Sequence, residues 1–247
     1  MLKNNTKLPL DKFIEISLFD KSKGYYMVKN PIGHEGDFIT SPNVSVMFSE
    51  MIAIWLISFW EKIGFPKKIN IVELGGGNGE MMLQIIKTIK KFRKFEKSAN
   101  FIIFDKSPFL LKIQKLKMKN MKVEWIDNLK NISNHPTIFL ANEFFDTFPV
   151  KQFVKKKKLW FEKYIIYKNK NYKFCEKKIN KQKIEKLLGD KISKNHKFLE
   201  FSHSGLQMLD FISKKVKKQN GGLLMIDYGY KNKKMFDSIQ SIKNHKK

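Results

Sequence analysis

Glu73, Gly75, Gly77 and Gly79 stand at alternate positions of IVELGGGNGEMM, residues 71–82. A carboxylate followed by spaced glycines can bring bare backbone N–H groups against a ligand, at a cost in chain entropy. Three ligand classes use such a turn between a strand and a helix. A phosphate-cradling loop ends in Gly-Lys-Ser/Thr, and here Glu80 follows Gly79. A dinucleotide site asks for a glycine three positions after Gly77, where Glu80 stands, and a pyrophosphate would meet the like charges of Glu73 and Glu80. The third class is S-adenosylmethionine, whose sulfonium and amino groups favour acids beside the turn, and acidic-x-Gly-x-Gly-x-Gly is its pattern. An acid ending the next strand can take both ribose hydroxyls with its two oxygens, and Asp105 is in place. Asp127, one strand further on, is expected at the adenine edge or the ribose. An ordinary glycine-rich turn is the competing reading, and three acids in register argue against it.

These residues need a scaffold that brings them to one edge. INIVEL (69–74), FIIFD (101–105), MKVEWID (121–127), TIFLAN (137–142) and GLLMIDYG (222–229) are short apolar runs of strand type. Helices are expected over 46–62, about 79–92 with Asn78 as N-cap, from Ser107–Pro108 through FLLKIQKLKM, and about 204–218. Apolar strands alternating with helices predict an α/β fold, an open parallel sheet covered on both faces. Acids are scarce, 23 against 49 basic residues, yet Glu73, Asp105, Asp127, Glu143 and Asp227 all fall at expected strand ends. Those ends form the binding crevice of such sheets. Between the fourth and fifth strands, VKQFVKK, LWFEKYIIY and YKFCEK predict a small antiparallel insertion, with KNKN (168–171) as a hairpin turn and a short helix near 180–188.

The chain has 247 residues, 42% of them hydrophobic, and a formal charge of +26. Such charge ordinarily suggests nucleic acid or an anionic surface. Arg93 is the only arginine, however, and the excess is lysine beside abundant Asn, Ile and Phe, as a coding sequence poor in G and C produces. A nucleic-acid site usually wants arginine for bidentate contacts, so a nucleic-acid partner is disfavoured. Cys175 is alone and the histidines, His34 among them, lack metal-ligand spacing, so no metal is expected. The opening MLKNNTKLPLDKF has neither a signal-peptide core nor an arginine-rich transit helix, and MIAIWLISFW (51–60) is about half a membrane span. The expectation is a cytoplasmic, bacterial-type protein without a membrane span.

GYY (24–26), GDFITSPNVSVMFSE (36–50), VELGGGNGEMM (72–82), ANEFFDTFPVKQF (141–153) and LMIDYG (224–229) resemble the MidA family of class I S-adenosylmethionine-dependent methyltransferases, which includes the mitochondrial complex I assembly factor. The similarity runs from about residue 12 to the C-terminus. The resemblance implies a Rossmann-like methyltransferase core and, for the mitochondrial member, dimethylation of an arginine on a respiratory complex subunit. By position it implies that Glu73, Gly75, Gly77 and Gly79 hold the methionine part of S-adenosylmethionine, and that Asn142, Glu143 and Asp146 lie beside the transferred methyl. The family usually has proline where Gly76 stands and a basic or polar residue at Asn78. It also continues beyond its DYG block, so the C-terminal strand pair of the sheet is expected to be missing.

A guanidinium becomes nucleophilic when carboxylates orient it and accept a proton. Glu143 and Asp146, three apart, are expected on one face of a helical turn, as its two acceptors. Asp37, in GDFITSP, is expected in a lid over substrate or cofactor, unless it serves turn chemistry alone. The domain reading is 1–66 as N-terminal lid and helical region, 67–149 as the cofactor-binding half, 150–195 as the insertion and 196–247 as the last helix and strand of the core. The leading function is protein arginine methylation. The alternatives are a non-catalytic or truncated assembly factor and a nucleic-acid methyltransferase, the last lacking the Asn/Asp-Pro-Pro-aromatic signature.

Overall fold

The computed structural model describes residues 4–33, 36–229 and 235–240. In chain order these form strand β1 (Lys7–Pro9), helices α1 (Leu10–Phe19), α2 (Tyr25–Val28), α3 (Ser41–Val44) and α4 (Val46–Lys62), strand β2 (Ile69–Leu74), helices α5 (Glu80–Ile89) and α6 (Arg93–Ser98), and strand β3 (Ala99–Phe104). Then come α7 (Pro108–Lys117), β4 (Val123–Ile126), β5 (Thr137–Asn142), β6 (Lys151–Lys156), β7 (Leu159–Lys168), β8 (Asn171–Ile179), α8 (Lys181–Leu188), β9 (Phe198–Phe201), α9 (His203–Gln219) and β10 (Gly222–Ile226).

The five expected core strands form one parallel sheet in the order β10-β5-β2-β3-β4. Every residue of β2 is buried, as a central parallel strand requires. Its side chains alternate between two clusters. Ile69 and Ile71 join Leu56 and Trp60 of α4 and Met82, Ile85 and Ile89 of α5. Val72 and Leu74 face the other way, toward Ile212 and the partly buried Met208 and Phe211 of α9. The chain builds outward from β2 to β4, then returns to β5 on the other flank. That reversal puts the switch point of the sheet, where ligands bind in such folds, between the ends of β2 and β5.

One fully buried polar side chain ties the opposite end of the sheet. Asn70 donates to the Ser133 carbonyl and to Thr137 Oγ1, both at 3.2 Å, and accepts from Asn100 at 3.3 Å and Ser133 Oγ at 3.2 Å. A buried amide bonded on both sides fixes strand register at little net cost.

The second sheet is antiparallel and draws on more chain than residues 150–195. β8 pairs with β7 along one edge, while β6 and β1 share the other, and β9 pairs with β6. A three-residue strand at Lys7–Pro9 and the four of Phe198–Phe201 are too short for periodicity to reveal, and pairing partners far along the chain stabilise them. Phe153, Trp160, Ile184, Ile192 and Leu199 form the core beneath α8. Lys151 joins this sheet to α1, bonding Asp11 at 3.1 Å and Glu162 at 2.7 Å.

Among the described residues no strand pairs with the outer edge of β10. Beside it, Met47, Phe48, Met51, Ile52 and Trp55 of α4 line an apolar groove with Ser45 and Leu224.

The KNKN hairpin is a two-residue loop with positive φ at both Asn169 (51°) and Lys170 (62°), the twist that Asn-Gly accommodates best. Lysine in that region is strained by about 1 kcal/mol. Lys170→Gly is therefore expected to raise unfolding stability by about 0.5–1 kcal/mol, read from urea denaturation at an unchanged m-value.

Candidate functional site

The glycine turn leaves the buried end of β2 and closes into α5. Gly75, Gly77 and Gly79 all have positive φ (68°, 51° and 80°). A Cβ on Gly75 would stand 2.8 Å from the Phe144 ring, and one on Gly77 2.9 Å from Ile32 Cδ1. The bare backbone here is therefore enforced by conformation and by neighbours together. Gly79, not Asn78, occupies the N-cap of α5. Asn78 acts one residue earlier: its Oδ1 accepts from Glu80 N–H at 3.2 Å and its amide donates to Asn43 at 2.7 Å. The left-handed cap needs a glycine, which displaces asparagine from that position.

Glu73 is 3% exposed and its Oε2 has no hydrogen-bond partner. Burial first, and then the charge of Asp105, push its carboxyl well above the ordinary value, with only the Met82 N–H pulling back. Asn142 ends the neighbouring strand, and its Oδ1 is likewise buried without a partner. Glu73 stands opposite Leu140 in the ladder; Asn142 lies two residues beyond Leu140, so both side chains leave the same face of the sheet. Two acceptors without donors, on one face at the switch point, suit a ligand carrying positively charged N–H groups. The contrast with the fully bonded Asn70 at the other end is sharp.

Asp105 is buried at the end of β3. Its Oδ1 accepts from Ser107 N–H at 2.9 Å and its Oδ2 from the Gln114 amide at 2.8 Å. Burial still holds its carboxyl above the ordinary value, opposed by those bonds and by the Lys106 and Gly76 N–H groups. Ser107 caps α7 through Leu110 N–H at 3.1 Å, with Pro108 next, as read from the sequence. Asp127 lies exposed just after β4, on the same edge of the sheet but outside this bonded set.

A second group of acids surrounds the turn after β5. Glu143 has φ 47°, and its N–H donates to the Ile226 carbonyl at 2.8 Å. Asp146 follows in a 3₁₀ turn, Phe145–Thr147, and its N–H donates to Asp227 Oδ2 at 3.2 Å. The expected helical face is therefore not what joins Glu143 and Asp146: a left-handed kink precedes the turn, and Asp227 from β10 completes the cluster. Burial, the Asp227 charge and the Glu143 charge, in that order, push Asp146 up to about 7. Asp146 nevertheless keeps an exposed surface, which leaves its carboxyl open to a ligand from outside. Glu143 is also raised, by burial first and then Asp227, with the Tyr228 hydroxyl at 3.3 Å and the Asn142 amide opposing. Tyr26 faces the same acids: burial, then Asp146 and Glu143, hold its phenol far above the ordinary value.

The segment before α4 lies against both groups. Ile32 sits on Gly77, Asn43 bonds Asn78, and the Ser41 N–H bonds the Glu143 carboxylate. Asp37 is buried, and holds Tyr25 Oη at 2.5 Å and Lys29 Nζ at 2.7 Å. It ties this segment to α2. His34 lies outside the described residues.

Asp227 was placed in the crevice by the sequence as a strand-end acid, without a role; Gln114 and Tyr228 escaped it, and Gln114, in a lysine-rich helix, carried no signal.

A family model described as S-adenosyl-L-methionine-dependent methyltransferase matches residues 51–247. A Drosophila melanogaster protein named protein arginine methyltransferase NDUFAF7 homolog, mitochondrial, is 26% identical, across 97% of this chain and 60% of its own. Protein arginine methyltransferase NDUFAF7 of Xenopus laevis, also named mitochondrial, is 25% identical across 99% and 61%. The chain thus spans about three fifths of the length of these curated relatives. A crystal structure from Burkholderia thailandensis, bound to S-adenosyl-homocysteine, shares the fold with a TM-score of 0.69 at 18% identity, across 83% of this chain and 55% of that one. The mitochondrial relatives overturn the expectation of a cytoplasmic protein, which rested on the composition of the opening residues alone. No helix among the described residues is long and apolar enough to cross a membrane.

The lone Glu73 carboxyl has a consequence for stability. A carboxyl raised on folding contributes fully below its unfolded value, near 4.5, and that contribution is lost as pH rises through the folded one. Glu73→Gln removes the titration without changing shape. The ligand-free variant is expected to exceed the parent in stability at pH 8 by about 1–3 kcal/mol, because glutamine requires neither a buried charge nor uptake of a proton there. At pH 5 the gain should be smaller, as thermal melts at the two pH values will read.

Proposed function

The chain belongs to the S-adenosyl-L-methionine-dependent methyltransferase family, and from that premise we propose that it methylates a guanidinium nitrogen of an arginine on a protein substrate. The substrate that the family resemblance implies is a subunit of a respiratory complex. One observation carries the reading: buried acceptors without donors beside a glycine turn, next to a cluster of three carboxylates. The relatives' names as protein arginine methyltransferases support it.

In this reading Glu73 and Asn142 receive the amino group of the cofactor, the backbone of Gly75, Gly77 and Gly79 lies against its methionine part, and Asp105 takes the ribose hydroxyls. Asp127 serves the adenine end from the exposed edge. Bound S-adenosylmethionine supplies a methyl group already activated by its sulfonium. The protein's work is then to position a nucleophile, exclude water and move one proton. Glu143 and Asp146 accept N–H bonds from the guanidinium and hold its plane. Asp146, pushed up to about 7, matches the operating pH of a general base and takes the proton the guanidinium gives up. Asp227 keeps Asp146 in place through its backbone N–H. Residues 30–33 and 36–44 act as a lid, with Ile32 over the turn and Ser41 on Glu143; Asp37 stiffens it through Tyr25 and Lys29.

Calorimetric titration with S-adenosylmethionine tests the reading. We expect a dissociation constant of about micromolar order, weakened at least ~tenfold in Gly77→Val, whose side chain meets Ile32 and cannot hold φ at 51°. Glu143→Gln and Asp146→Asn should bind the cofactor within about threefold of the parent, yet abolish methyl transfer to arginine, followed as labelled methylarginine after hydrolysis of treated respiratory proteins. A folded parent chain that binds no S-adenosylmethionine would overturn the proposal.

A further inference from the structure

Gln114 is fully buried in α7, a helix with lysine at three of its ten positions. Packing alone does not explain an amide there. Its Nε2 donates to the Gly77 carbonyl at 2.9 Å and to Asp105 Oδ2 at 2.8 Å, while its Oε1 accepts from the Trp125 indole at 3.2 Å. One side chain therefore joins the glycine turn, the end of β3 and strand β4.

The orientation of this amide is determined. An indole N–H only donates, so Oε1 must face Trp125 and the NH2 must face the turn and Asp105. The contact with the turn is also close, since a Cβ on Gly76 would stand 3.0 Å from Gln114 Nε2. Ser107 N–H donates to Asp105 Oδ1 and the Gln114 amide to Oδ2, and the Lys106 and Gly76 N–H groups also face this carboxylate. The carboxylate is thereby fixed in place, its two oxygens held side by side at the spacing that a pair of neighbouring hydroxyls requires.

We infer that Gln114 is a positioning residue for the ribose of the cofactor, holding the Asp105 carboxylate and the Gly77 carbonyl in fixed relation so that the 2′- and 3′-hydroxyls meet a preformed acceptor pair. The inference rests on the reading of Asp105 as the ribose partner. Trp125 acts one step further out, by preventing the amide from turning round.

The test is calorimetric, with S-adenosylhomocysteine and its 2′-deoxyribose analogue as probes. The parent chain should bind the analogue about tenfold more weakly. Gln114→Met should bind S-adenosylhomocysteine about tenfold more weakly than the parent and lose little more on removal of the hydroxyl, the non-additivity of two groups in one network. Trp125→Phe keeps the packing but frees the amide, and should lie between, with about threefold loss and a reduced hydroxyl effect. A folded Gln114→Met that keeps the parent's affinity, or pays the full tenfold penalty again for the missing hydroxyl, overturns the inference. If Gln114→Met does not fold, full affinity and a full hydroxyl effect in Trp125→Phe overturn it equally. A parent chain that binds S-adenosylhomocysteine with no preference for the hydroxyl overturns the ribose role, leaving the cofactor reading in place. A parent chain that binds neither probe overturns both.

Discussion

A parallel sheet has to be covered on both faces, and β2 is where that constraint is complete: all six of its residues are buried. Helices α4 and α5 occupy one face and α9 the other, which leaves only the strand ends for chemistry. The polar residues of β2 divide accordingly. Asn70, at the start, has donors and acceptors on every side and serves register. Glu73, near the end, keeps one oxygen without a partner. Buried polar atoms are bonded almost everywhere in proteins, and this orphaned one stands beside the glycine turn that we propose receives the cofactor.

Electrostatics sharpens the division. The chain carries a formal charge of +26, yet Asp227 lies close enough to Glu143 and Asp146 to raise the affinity of both for protons. None of the ion pairs among the described residues involves these three acids: Lys29 bonds Asp37, Lys117 bonds Glu80, and Lys151 bonds Asp11 and Glu162. A negative recess in a positive surface is selective. Such a recess repels phosphate and favours a cationic side chain.

Much of this could be read from the residues because the signals are local. Alternating glycines after an apolar run, Ser107–Pro108, and KNKN each encode their own geometry, and each stands where the sequence put it. The five core strands were legible for the same reason, being continuous apolar runs. What stayed hidden depends on partners distant in the chain. Gln114 looks like one more polar residue of a lysine-rich helix until Asp105, Gly77 and Trp125 surround it. β1 has three residues and no period, and β9 only four. Glu143 and Asp146 do lie together with Asp227, but the spacing of three suggested a helical face. The left-handed backbone at Glu143 follows instead from its bond to Ile226, a strand that arrives more than eighty residues later.

The placement of β1 sets an order of events. Lys7, Leu8 and Pro9 pair with Ile166, Ile165 and Tyr164, so β1 has no mate until β7, far along the chain, exists. α1 and the cover over the glycine turn hang from that strand. During synthesis the central strands and their glycine turn can assemble while the N-terminal arm is still untethered, because closing so long a loop returns nothing until its far end has folded. The glycine turn is thus framed first and covered last. Lys7–Pro9 takes up its position only after β7 has formed.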